Sequence, residues 1–97
     1  MTYAFHPEAE AELEAGIAYY EERETGLGMD FAAEVHATVQ RILAYPLAWP
    51  VLEEGVHRAL LHRFPYGVLY GYEDSRVYIL AVMHLHRQPG YWRRRVT

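Results

Sequence analysis

The chain reads as an α+β protein. It is one small domain, residues 1–97, in the order β-α-α-β-β-β, with a helical hairpin packed on an antiparallel sheet. Three observations carry that reading. Apolar residues recur at helical spacing in two stretches of the first half. A Gly26-Leu27-Gly28 break separates those stretches. From Val56 onward the period drops to two, or the sequence becomes continuously apolar, as in half-buried and fully buried strands.

The elements follow in order. Thr2-Tyr3-Ala4-Phe5 is β-prone and stops before Pro7, which disfavours helix at His6. Pro7 suits a first helical turn, where its missing N–H is not needed. Ala9, Leu13, Ile17 and Tyr20 recur at intervals of four, four and three, which is one helical face. They predict a helix over residues 7–24, about 27 Å long at 1.5 Å per residue. The earliest of Glu8, Glu10, Glu12 and Glu14 favour the positive helix N-terminus, and the set reads as a solvated face. Gly26 suits a helix C-terminal cap. A second stripe, Phe31, Val35, Val39 and Ile42, follows Asp30 and ends before Pro46. Trp49, between Ala48 and Pro50, is expected to pin the next loop to the core.

Residues 56–64 alternate in polarity, 66–72 are aromatic and β-branched, Glu73-Asp74-Ser75 is a turn, and 77–85 are apolar almost throughout. These connections are too short for crossover helices, so the strands should form an antiparallel meander. The 77–85 strand lacks a polar face and belongs inside the sheet, with helices on one side. Pro89 and Gly90 turn the remainder into a tail.

Composition bounds the function. Apolar residues make up 52%, which excludes a disordered chain. There is no cysteine, so disulfides, thiolate zinc sites and a Cys nucleophile are excluded, and a reducing cytoplasm is the expected location. No apolar run approaches the ~20 residues of a membrane span, and no signal-peptide pattern opens the chain. All nine basic residues are arginine, which codon bias explains more simply than selection for guanidinium chemistry. Residues 1–54 carry eleven acids against two arginines, a balance of −9; residues 55–97 carry seven arginines against two acids, a balance of +5. A basic half can meet phosphates or an acidic partner.

The candidate groups lie mostly in that basic half. His84-x-His86 places two imidazoles on one strand face, about 7 Å apart at 3.3 Å per residue. They are candidates for acid–base work, or for a metal if His57 or His62 came near. Against this stands a plain polar strand end, and no metal or cofactor is expected. Arg58 and Arg63 flank one strand and, at odd separation, point to opposite faces. Either can grip a phosphate or a carboxylate as a bidentate fork. Arg87, Tyr91, Trp92 and Arg93-Arg94-Arg95 mix cations with aromatics, as RNA-binding or acidic-peptide-binding surfaces do. The plainer expectation places Trp92 in the core. No phosphate-cradling glycine loop, zinc-protease motif or Ser–His–Asp arrangement is present.

An ordered set of short motifs then carries a resemblance. It runs through His6-Pro7-Glu8-Ala9, Tyr19-Tyr20-Glu21, Gly26-Leu27-Gly28 with Phe31, and Arg63-Phe64-Pro65-Tyr66. It closes with Ala81-Val82-Met83-His84 and Arg87-Gln88-Pro89-Gly90-Tyr91-Trp92. The chain resembles the RelE/ParE superfamily of toxins from type II toxin–antitoxin modules, nearer the ParE-like (plasmid-stabilisation) branch, over nearly its whole length. The resemblance implies a cytoplasmic bacterial growth inhibitor neutralised by a cognate antitoxin, which folds on binding. The antitoxin is expected on the basic sheet side, through an acidic, partly apolar segment meeting Arg58, Arg63, Arg87, Arg93 and Arg94.

RelE-like members cleave messenger RNA in the ribosome and ParE-like members poison DNA gyrase, so the fold does not choose between targets. RelE-like sites use lysines and arginines, with a tail arginine and tyrosine. This chain has no lysine, and Gly67 stands at the strand position of an arginine. Arg87 matches the arginine after the last strand; Tyr91 is near the expected tyrosine, at a different spacing. The preferred reading is therefore a non-enzymatic inhibitor with gyrase as target. The enzymatic alternative is a ribosome-dependent mRNA endoribonuclease using Arg87, His84 and Tyr91, the one case with direct nucleic-acid contact. A third is a decayed module that binds without inhibiting growth.

Overall fold

The first strand and the last long strand lie side by side and run the same way. This parallel pair makes the sheet mixed, where the sequence predicts an antiparallel one. The computed structural model describes residues 2–96. Strand β1 (Thr2–Phe5) is followed by helices α1 (Pro7–Arg23) and α2 (Leu27–Ala44). Then come β2 (Val51–Glu53), β3 (Val56–Leu60), β4 (Tyr66–Glu73) and β5 (Arg76–His84), and a 3-10 turn at Arg93–Arg95. The five strands are ordered β1-β5-β4-β3-β2. Between β1 and β5 the chain runs through both helices and strands β2 to β4, a connection long enough for parallel pairing. The last three strands are the antiparallel meander expected.

The sequence analysis does not identify β2. It is three residues long and joins β3 through Glu54 and Gly55, both at positive φ. β4 and β5 are joined the same way by Asp74 and Ser75, again both at positive φ. Two-residue turns of that hand match the twist of paired strands.

The hairpin of helices is closed by Glu21. Its carboxylate accepts the Gly26 N–H at 2.9 Å and the Gly28 N–H at 3.0 Å, taking up backbone donors that the start of α2 leaves without partners. Gly28 lets the helices touch, since a Cβ there would lie 2.5 Å from the Ile17 carbonyl oxygen.

β5 is apolar throughout because both of its faces are covered. Val77, Ile79 and Val82 face the helices, with Phe31, Val35, Val39, Ile42, Val68 and Tyr70. Leu80, Ala81 and Met83 lie in a second cluster with Val56, Leu69 and Trp92. A bulge permits this. Tyr70 pairs with Ile79 and Leu69 with Ala81, leaving Leu80 as the extra residue. Trp92 is only 2% exposed, so the tail is the cover of the outer sheet face, as expected.

Two substitutions test this packing. Gly28→Ala should force α1 and α2 apart and lower unfolding free energy by about 1–3 kcal/mol. Trp92→Ala, which uncovers the outer face, should cost about 3–5 kcal/mol. Urea denaturation followed by circular dichroism measures both.

Candidate functional site

The helix-face stripe of α1 contains one carboxylate. Glu12 falls three residues after Ala9 and four before Gly16, both buried, so it points inward with them. This corrects the solvated-face reading for Glu12, whose side chain is 16% exposed. The signal was present: its spacing puts it on the apolar stripe.

Glu12 completes the edge of β5. β1 ends at Phe5, opposite Ile79, and the His6 N–H donates to the Ile79 carbonyl at 2.8 Å. Past that point the bulge leaves backbone groups without a strand partner. The Val82 N–H donates to Glu12 Oε1 at 3.0 Å, and the Leu80 carbonyl accepts from Arg95 at 2.9 Å. Arg95, with a side chain 4% exposed, donates to both oxygens of Glu12 at 3.0 Å. This is a bidentate buried pair that also satisfies the backbone. From the sequence Arg95 is one of three tail arginines in a cation–aromatic mixture suited to a partner; its burial makes it part of the fold instead.

Two catalytic candidates lie on the same carboxylate. The Tyr91 hydroxyl donates to Glu12 Oε2 at 2.6 Å. Burial, then the hydrogen bond and charge of Glu12, push the Tyr91 phenol well above its ordinary range, against the pull of Arg95 and Arg87. The Arg87 guanidinium lies 3.8 Å from the Tyr91 ring centroid and 3.9 Å from Glu12.

The third candidate, His84, ends β5, and His86 lies beyond the strand in the following turn. Their rings still meet, with centroids 5.0 Å apart, and Tyr66 packs edge-on to His84 at 5.0 Å. The His86 N–H donates to His84 Nδ1 at 3.1 Å. A backbone amide only donates, so His84 Nδ1 is the unprotonated nitrogen. Burial, then the neighbouring His86, hold the His84 pKa below its ordinary value. His57 joins neither: it stacks on Tyr70 and pairs through Nδ1 with the Trp49 carbonyl at 2.8 Å. Among the described residues no group of three His, Cys, Asp or Glu could hold a metal.

The partner-binding candidates divide. Arg93 forms a bidentate pair with Glu53 at 2.8 and 2.9 Å, which holds the Glu53 carboxyl below its usual range. Arg94 pairs with Glu8. The tail arginines therefore fold onto acids of the first half, and much of the charge separation along the chain disappears. Arg63 lies past the end of β3, not in the strand, in a loop tied down by Glu34, whose carboxylate accepts its N–H at 3.0 Å. Its side chain is 3.7 Å from Asp30. Arg58 does lie in β3, half-buried, with its methylenes against Gly67. Among the described residues Arg58 has no ion pair.

Glu12→Gln should destabilise the protein by about 3 kcal/mol, near the low end for breaking a buried pair, because Glu8 stays 3.6 Å from Arg95. A phenol absorbance titration of the same variant should move Tyr91 back toward its ordinary range. His84 makes stability depend on pH. The unfolded chain takes up a proton near the ordinary value of 6.5, while the folded chain refuses it until lower pH. Stability should be full above pH 6.5 and fall below it through the depressed folded value. His84→Gln should flatten that dependence in unfolding curves measured between pH 5 and 8.

The family model described as the ParE toxin of the type II toxin-antitoxin system, parDE, matches residues 3–89. Among solved structures, a chain of the chromosomal ParDE TA system from P. aeruginosa is similar, with a TM-score of 0.64 at 17% identity. The similarity covers 89% of this chain and 97% of that one, and at such identity it speaks for the fold. No curated protein matches the sequence. No helix among the described residues is long and apolar enough to cross a membrane. The family match runs from β1 to the turn after β5, and on that span the chain belongs to the ParE toxin family of type II toxin–antitoxin systems.

Proposed function

We propose that this chain is a growth inhibitor that acts by binding a target protein, DNA gyrase, and is neutralised in the cytoplasm by a cognate antitoxin. One observation carries the choice of binding over chemistry: the three candidate catalytic groups are engaged within the protein. The Tyr91 hydroxyl is held in a hydrogen bond it donates to Glu12. Arg87 lies against that same carboxylate, whose charge repels a scissile phosphate. His84 has its basic nitrogen occupied by the His86 amide. A ribonuclease relying on the substrate's 2′-hydroxyl needs a free base and free cations around the transition-state charge. The imidazole and the phenol expected to supply them are engaged within the fold, and Arg87 keeps an exposed guanidinium but stands beside a carboxylate that disfavours a phosphate there.

Antitoxin binding draws on the arginines that keep capacity. Arg58 is half-buried on the outer sheet face, near exposed Leu60. Arg63 and Arg87 have exposed guanidinium groups in pairs of 3.7 and 3.9 Å. Arg93 and Arg94 hold surface pairs that a partner carboxylate can exchange into at little cost. An acidic, partly apolar antitoxin segment fits this set, and its affinity should fall as salt rises.

Tightly controlled expression in a bacterial host, with pulse labelling of DNA and protein synthesis, tests the target. DNA synthesis should stop first, with DNA-damage signalling, and His84→Ala should stay toxic. Protein synthesis stopping first, with toxicity abolished in His84→Ala, would establish the messenger-RNA endoribonuclease instead. Unchanged growth at confirmed expression would mean a module that binds its partner and no longer inhibits.

A further inference from the structure

The tail covers only part of the outer sheet face. Beyond it, toward the two hairpin turns, lies an open groove of about 920 Å³. Its floor is formed by Ala4, Val56, Gly71, Tyr78 and Leu80. The strand registers place these on one face: Ala4 pairs with Tyr78, Tyr78 with Gly71, and Gly71 with Val56. A Cβ at Gly71 would meet nothing within 4 Å, so the middle of the floor has room for a foreign side chain. Tyr78 stands beside that gap, 40% exposed.

The rim is acidic. Glu54 stands at the β2–β3 turn, and Glu73 and Asp74 at the β4–β5 turn. Among the described residues none of the three forms an ion pair. Arg76 lies opposite Glu73 in the hairpin register and offsets one of them. Arg95, at the tail side of the groove, is held by Glu12 and Glu8. Arg93, though paired with Glu53, also lies within electrostatic reach of Glu54, so among the described residues Asp74 is the rim carboxylate with no cation beside it, next to an apolar floor.

We infer that this groove docks a polypeptide segment carrying a large apolar side chain, seated over Gly71, next to arginine or lysine residues that meet Glu54, Glu73 and Asp74. The acidic rim repels nucleic acid and anionic lipid. The groove is too open to enclose most of a small molecule, as small-ligand sites do. An exposed sheet face with an apolar floor is what a protein segment covers. The required charge is opposite to that expected of a segment meeting Arg58 and Arg87, so the groove calls for a different segment from the acidic one assigned to the antitoxin.

The Gly71 position allows a clean test. Its φ is not positive and its Cβ direction is empty, so Gly71→Leu fills the groove without straining the fold. The probe is a ten-residue peptide of alternating leucine and arginine, titrated into the purified full-length chain and followed by amide chemical shifts. A matched leucine–glutamate peptide serves as control. The leucine–arginine peptide should shift the amides of Ala4, Gly71, Tyr78 and Leu80. Affinity should drop at least tenfold in Gly71→Leu with an unchanged thermal midpoint, and several-fold in a Glu54→Gln, Asp74→Asn double variant. Shifts confined to the acidic helix faces, equal binding by Gly71→Leu, or equal binding of the glutamate peptide would overturn the proposal. A lowered thermal midpoint in Gly71→Leu would move the comparison to Gly71→Ser, a smaller plug. Equal affinity in a stably folded Gly71→Ser and the charge variant together would also overturn it.

Discussion

The fold turns on a carboxylate that sits where an apolar residue would otherwise be. Glu12 lies on the buried stripe of α1 and needs compensation for leaving water. That compensation comes from three sources distant in sequence: the Val82 amide on β5, the Tyr91 hydroxyl and the Arg95 guanidinium. Each needs Glu12 in turn. β5 has lost its β1 neighbour at this height and its bulge exposes backbone groups. Arg95 is buried too deeply to stand without an anion. One carboxylate thus joins helix, sheet edge and tail, and it sets the position of Trp92, which closes the outer face.

That arrangement also decides what the candidate site can do. A tyrosine that donates a hydrogen bond to a carboxylate, and an arginine beside the same carboxylate, are structural partners before they are reagents. The most basic segment of the chain, residues 93–95, is spent on acids of the first two thirds. The charges run apart along the chain and come together in space. What remains for partners is uneven: half-buried Arg58 on one part of the outer face, and the acidic rim around Gly71 on another. A small protein that must meet both a neutraliser and a target has use for two surfaces of unlike charge.

Glycine shapes both surfaces. Along β4 the outer face reads Gly67, Leu69, Gly71. The first glycine is filled by the methylenes of Arg58 and by Leu60. The second is left open. Leu69 between them lies in the cluster capped by Trp92. The tail therefore crosses the outer face over Leu69 and leaves the hollow over Gly71 free. Dynamics should follow the same division. The core strands carry the global stability, while the tail depends on the polar cluster at Glu12 for its place.

Much of this was legible in the residues. Periodicity located both helices within a few residues, because each buries one continuous stripe, and the unbroken apolarity of residues 77–85 marked a strand inside the sheet with helices on one side. The last three strands were readable because their turns are short and their residues alternate. Short β2 was not, since its two exposed apolar residues look like loop. The parallel partnership of β1 was not either, because a four-residue strand carries no mark of its neighbour's direction. The glutamates of α1 looked alike in the chain, yet only Glu12 has the bulge, the phenol and the buried guanidinium around it. Local sequence sets which segments can be helix or strand and which side of each avoids water. Partner choice among charged groups depends on distances across the fold, and those exist only once helices, sheet and tail have packed.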